Sequence, residues 1–109
     1  MNRGDLVPVA LQGEHGKPRP ALVIQSDLFA NLTSAVTIAL LTSTALDTGI
    51  FRVPVEPSAT NGLRTRSFVM VDQIFSASSR RFGDVFGRLD AADMLAVNRA
   101  LALFLGIAN

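Results

Sequence analysis

Short apolar runs broken by turn signals occupy most of this chain, and its last segment changes to a helical period. Together they predict a mainly β fold of about five strands, mostly antiparallel, closed by one C-terminal helix. Residues 6–11 are extended and apolar, and Pro8 within them argues for an edge or a bulge. Residues 12–18 form a polar loop containing Gly13 and Gly16. Residues 20–25 are nearly all apolar, as expected of a central strand covered on both faces. Residues 35–44 make a β-branched and leucine-rich run ending in Thr42-Ser43-Thr44. Asp47-Thr48-Gly49 reads as a turn, with residues 50–55 as its return strand. Asn61-Gly62 is a further turn signal. Residues 68–71 form another strand and residues 82–89 a shorter one. From Asp90 onward Met94, Val97, Leu101, Phe104 and Leu105 recur at three- and four-residue steps. That spacing fits an amphipathic helix, with Asp90 as N-cap, Asp93 as negative charge in the first turn, and Gly106 as its stop.

The 109 residues suit one domain, 1–109, and folding would hide about 65% of the area an unfolded chain exposes. Hydrophobic residues make up 49% and charged residues 17%, a balance that excludes wholesale disorder. No apolar run approaches the ~20 residues of a membrane-spanning helix. Met1-Asn2-Arg3-Gly4-Asp5 lacks the apolar core of a secretion signal, so the cytoplasm is the expected location. The absence of cysteine removes disulfides, thiol nucleophiles and thiolate metal sites. A single histidine, His15, rules out a multi-histidine metal site within one subunit.

The net charge of +1 conceals an uneven distribution. Residues 1–49 and 90–109 each sum to −1, whereas residues 50–89 sum to +3 through Arg52, Arg64, Arg66, Arg80, Arg81 and Arg88. Nine of the ten basic residues are arginine, the side chain better suited to two-pronged contact with phosphate or carboxylate. Such a middle segment is either a solvated face of salt-bridge partners or a polyanion-binding surface.

Three apparent motifs carry nothing. The glycines of residues 13–17 are too close together for a phosphate-binding loop, and Pro18 follows the lysine. Arg3-Gly4-Asp5 and the Asn31-Leu32-Thr33 glycosylation triplet matter only outside the cell. Arg19, where the polar loop meets the buried strand, can be an ion-pair partner of Glu14 or Asp27, or a cation held over a groove. Thr42 reads as an ordinary strand threonine, and Glu14 and His15 as loop residues.

At larger scale the residues carry a resemblance. Arg3-Gly4-Asp5-Leu6-Val7 and Arg19-Pro20-Ala21-Leu22-Val23-Ile24 resemble two signature strands of the MazF/PemK family of toxins. Val69-Met70-Val71-Asp72-Gln73-Ile74 is similar to that family's third signature, and Arg88-Leu89 and Leu105-Gly106 also fit. The blocks fall in order along nearly the whole chain. The resemblance implies an SH3-like antiparallel β-barrel with a terminal helix. It implies a homodimer acting as the toxin of a toxin–antitoxin pair, and sequence-specific cleavage of single-stranded RNA without a metal or other cofactor. By the same resemblance Arg19 is the catalytic arginine, and Thr42, 23 residues later, the catalytic threonine. Glu14 takes the place of a functional glutamate in some members. His15 stands where a glutamine is usual, a departure that prevents transfer of RNA sequence preference.

Metal-free cleavage would use the ribose 2′-hydroxyl as nucleophile and leave a 2′,3′-cyclic phosphate and a 5′-hydroxyl. Arg19 would stabilise the phosphorane and Thr42 would donate to it or position it. Glu14, or His15 with a pKa near neutrality, is the candidate base. Lys17, Arg52, Arg64, Arg66, Gln73, Arg80 and Arg81 are the candidate RNA-binding residues. The expected protein partner is an antitoxin with an acidic, disordered C-terminal segment. The alternative is a non-enzymatic toxin of the same fold that poisons DNA gyrase as CcdB-type proteins do. Leu105-Gly106-Ile107 is similar in outline to their Trp-Gly-Ile ending but lacks the tryptophan. A third reading is a barrel that binds nucleic acid or a partner without cutting.

Overall fold

The computed structural model describes residues 1–11, 17–44 and 51–108. The strands are β1 (Asp5–Val9), β2 (Arg19–Val23), β3 (Ala35–Thr42), β4 (Arg52–Val55), β5 (Ser67–Ser78) and β6 (Gly87–Arg88), followed by helix α1 (Ala91–Phe104). They form one antiparallel sheet in the order β4-β5-β3-β2-β1-β6, curled into a half-barrel. The expected class therefore holds, with six strands among the described residues in place of about five.

Alternation divides the sheet into two apolar faces. Leu6, Leu22, Ala39, Leu41, Val53, Val55, Val69 and Val71 share one cluster with Leu89 and with Val97 and Leu101 of α1. Val7, Val9, Ala21, Val23, Val36, Ile38, Leu40 and Met70 form the other, with Leu11, Ala77 and Phe82 packed against it. Residues 21–23 are buried without a break, which is the two-sided covering their composition predicts.

One expected pairing is wrong. Residues 52–55 do not return along β3; they pair with β5, as Arg52 with Met70 through Val55 with Ser67. In a simple meander β4 would lie between β3 and β5, and Pro54 has no N–H to give such an interior position. Here β5 occupies the β3 edge and leaves β4 outermost. The β3–β5 register runs from Ala35–Ser78 to Ala39–Ile74, then shifts to Leu41–Val69 and Thr42–Phe68. On the β3 side residues 70–73 thus have Leu40 alone opposite them. The surplus bends β5 and curls the sheet, as bulges do.

The predicted strand over 82–89 shrinks to two residues plus an isolated bridge from Phe82 to Val9. Pro8 lies just past the reach of β6, whose partners are Asp5 and Leu6, and its carbonyl accepts from Gly83 N–H at 2.9 Å. The Asn61-Gly62 turn is built around a buried Asn61 side chain. Its Oδ1 accepts from the N–H groups of Ser58 and Leu63, both at 3.0 Å, and its Nδ2 donates to the Glu56 carbonyl at 2.8 Å. Gly87 packs so closely on this turn that a Cβ there would collide with the Asn61 carbonyl.

The helix keeps both predicted ends. Asp90 Oδ1 accepts from Asp93 N–H at 2.8 Å. Gly106, at φ +74°, donates to Leu103 O at 3.2 Å, and Ile107 donates to Ala102 O at 2.8 Å, a Schellman closure. No helix among the described residues is long and apolar enough to cross a membrane.

Candidate active site

Arg19 opens β2, half-buried, paired across the strand with Val9. Thr42 closes β3, also half-buried, and its Oγ1 accepts from Thr44 N–H at 3.1 Å. Strands β2 and β3 pair as Ala21–Leu40, Leu22–Ala39 and Val23–Ile38. Arg19 lies two residues beyond the Ala21–Leu40 pair on β2 and Thr42 two residues beyond it on β3, at the same end of the two strands. Both residues continue the alternation of Val9, Ala21 and Leu40, so both emerge on the sheet face away from α1. Two residues far apart in sequence are thereby directed to one face at one end of the sheet.

Each residue has its own partners on the outer side. Thr42 faces Phe68, which faces Pro54; Arg19 faces Val9, which bridges to Phe82. Arg81 is drawn to this end of the sheet because its Nη1 donates to the Ala10 carbonyl at 3.2 Å. Arg66 stands at the other flank, its guanidinium carbon 5.3 Å from the Phe68 ring centroid. Arg66 Nε also meets Glu56 at 2.6 Å in an exposed ion pair.

The remaining candidates are more dispersed. Lys17 lies exposed two residues before Arg19, and Arg64 and Arg80 are exposed in connecting segments. Arg52 is engaged with Asp72 through two contacts of 3.2 and 3.3 Å, both side chains mostly covered. Gln73 sits half-buried in the β5 bend, without a cross-strand pairing among the described residues. Arg88, counted in the basic middle, is paired with Asp5 at 2.8 Å. Glu14 and His15, the candidate bases, lie outside the described residues. The basic middle is thus partly a set of structural ion pairs and partly exposed cation. Sequence reasoning passed over Phe68; its register partner Thr42 is what draws notice to it. Among the described residues no three His, Asp or Glu side chains gather as metal ligands.

A family described as PemK-like, MazF-like toxin of type II toxin–antitoxin systems matches residues 2–105. The chain belongs to this toxin family. The toxin is 39% identical, over the whole of both chains, to a protein of Mycolicibacterium smegmatis named probable endoribonuclease MazF. Its fold is similar to an endoribonuclease in complex with its cognate antitoxin from a mycobacterial species. That match has a TM-score of 0.85 and 27% identity, covering 100% of this chain and 98% of the other. It is also similar to Mycobacterium tuberculosis toxin MazF-mt6, with a TM-score of 0.79 and 25% identity over 94% and 96% of the two chains. These matches overturn the gyrase-poisoning alternative. The tail on which that alternative rested serves in this toxin as the cap of α1.

Proposed function

We propose that this toxin is an endoribonuclease that cuts single-stranded RNA without a metal, using Arg19 and Thr42. The observation that supports the reading is that Arg19 and Thr42 close β2 and β3 at the same end of the sheet and continue the alternation of one face. The 2′-oxygen of the nucleotide before the scissile bond attacks phosphorus, the bond to the 5′-oxygen breaks, and a 2′,3′-cyclic phosphate and a 5′-hydroxyl result. The 2′-hydroxyl proton passes to a base, for which Glu14 or His15 is the candidate, and the leaving 5′-oxygen takes up a proton from solvent. Arg19 stays protonated throughout and so serves the phosphorane as fixed positive charge rather than as an acid. Thr42 contributes a hydroxyl donor to a phosphate oxygen. Lys17, Arg64, Arg80, Arg81, Arg66, Arg52 and Gln73 are the candidates to guide the strand.

An acidic, disordered antitoxin segment is the expected inhibitor, since it complements the same cations and folds as it binds. The mycobacterial endoribonuclease with its cognate antitoxin supports that partner. The working unit is a homodimer of one-domain chains in the cytoplasm.

The test is to incubate the purified toxin with single-stranded RNA in excess chelator and map the new ends. Cleavage leaving cyclic phosphates is expected, with Arg19→Ala lowering kcat by about 10²–10³, the usual effect of removing one preorganised donor. Uncut RNA, or cutting that chelator stops and Arg19→Ala leaves intact, would refute the mechanism.

A further inference from the structure

Thr42 has a neighbour that the chemistry above leaves unused. Phe68 is its direct partner across β3 and β5, so the two side chains rise from the same face. Cβ atoms in such a pair stand about 4.5–5.5 Å apart, which brings the ring within one side-chain length of the Thr42 hydroxyl. Phe68 is half-buried, and Arg66 lies over its ring at 5.3 Å from the centroid. The arginine side chain is 56% exposed and that of Glu56, its carboxylate partner, 69%. An exposed pair of this kind contributes little, so the guanidinium can lift from the ring at small cost.

The other phenylalanines are placed differently: Phe29 is exposed in the short 3-10 turn Asp27–Phe29, and Phe86 lies exposed beside Gly62. Phe51 and Phe104 stack edge to face on each other, and Phe82 packs against the core beside Val9. Phe75 pairs with Ile38, toward the other end of β3. Phe68 is the ring that adjoins Thr42.

We propose that Phe68 and Arg66 form a stacking subsite for the base of a nucleotide beside the scissile phosphate. The proposal rests on the ribonuclease reading and assigns to that site the contact that receives a base. The base enters between ring and guanidinium, with an aromatic surface on one side and a planar cation on the other, both of which favour a π-face. Stacking accepts any base, so the subsite supplies affinity and register rather than a sequence code.

The experiment uses the full chain and an RNA that it cleaves, with a single 2′-deoxy substitution at the mapped scissile nucleotide to prevent cutting. Abasic replacements are introduced one at a time, and affinity is read by fluorescence anisotropy. In the wild type one abasic position beside the scissile phosphate should weaken binding roughly five- to a hundredfold, the range of base–aromatic stacking. In Phe68→Leu that penalty should fall to near unity while the penalties elsewhere persist, and Phe68→Tyr should restore it. Arg66→Gln should reduce the same penalty, and this variant decides the matter if Phe68→Leu melts early. An abasic profile equal to wild type in the folded Phe68→Leu or, failing that, in Arg66→Gln overturns the subsite and leaves the ribonuclease reading standing. Failure of the wild type to cut any RNA overturns both.

Discussion

Asn61 is 1% exposed, yet all the polar atoms of its side chain are engaged with the backbone of its own turn. A buried side chain of this sort acts as a template: it satisfies two N–H donors and a carbonyl that the chain reversal would otherwise leave unpaired. Truncating it strands those groups in a place closed on the far side by Gly87. Asn61→Ala should therefore lower unfolding free energy by about 2–4 kcal/mol, from the usual penalty for unsatisfied buried groups. Urea denaturation would show this as a lower midpoint at unchanged m-value; a midpoint equal to wild type would contradict it. The catalytic assignments belong to the same scale. Arg19 and Thr42 stand out for being half-buried at strand ends, where their side chains are oriented by paired backbone on the flanks. Neither property is visible in an arginine before a proline or a threonine in an apolar run.

At the scale of elements, α1 shows local sequence information acting as expected. Its caps and its buried stripe of Val97 and Leu101 follow from residues within one turn of each other. The first turn also carries a conflict. Burial first, and then the neighbouring Asp90 carboxylate, raise the Asp93 pKa above its ordinary value of 3.8. The folded chain then holds the Asp93 proton more tightly than the unfolded chain does. Below 3.8 both states are protonated and the group is neutral in its effect; as pH rises through the raised folded value, ionisation costs stability. Asp93→Asn should match the wild type in melting temperature near pH 3 and exceed it once the pH has passed the raised folded value, by a margin that then stays constant. A difference already present near pH 3 would count against this account. The strands behave otherwise. Residues 20–25 and 35–44 announce themselves by composition, but β4 gives no sign that its partner is β5. Pairing is decided between segments, and Pro54 shows only which position β4 could not fill.

For the whole molecule, the mild net charge is less informative than where the charges go. Arg52 and Arg66 meet Asp72 and Glu56, whereas Lys17, Arg64 and Arg80 are exposed without a carboxylate partner among the described residues. This has a measurable consequence for RNA. If Lys17, Arg19, Arg52, Arg64, Arg66, Arg80 and Arg81 all met phosphates, log K would fall with log salt at a slope of about −5 for a single strand. With Arg52 neutralised by Asp72, and Arg66 held by Glu56 or stacked on a base, the slope should be about −3.5. Titrations of the 2′-deoxy RNA between 50 and 200 mM salt, roughly the range in which counterion release is resolved, would separate the two values. The steeper slope would mean that the ion pairs open to receive the strand.

The amino-acid order by itself determined the class of fold, the helix with both its ends, the central strands, and the signature blocks of the toxin family. All of these depend on residues close together in the chain or on motifs of a few letters, so backbone period and side-chain type suffice to reveal them. The tertiary structure decided that β5 separates β3 from β4, that residues 82–89 yield only a two-residue strand, and that Arg52 belongs to Asp72. It also decided that Thr42 and Phe68 are register partners at the end of the sheet where Arg19 opens β2. Those outcomes depend on register, and a slip of one residue would send every side chain of a strand to the opposite face. What fixes the register is the simultaneous burial of two apolar faces across the sheet, a condition no single segment carries within itself.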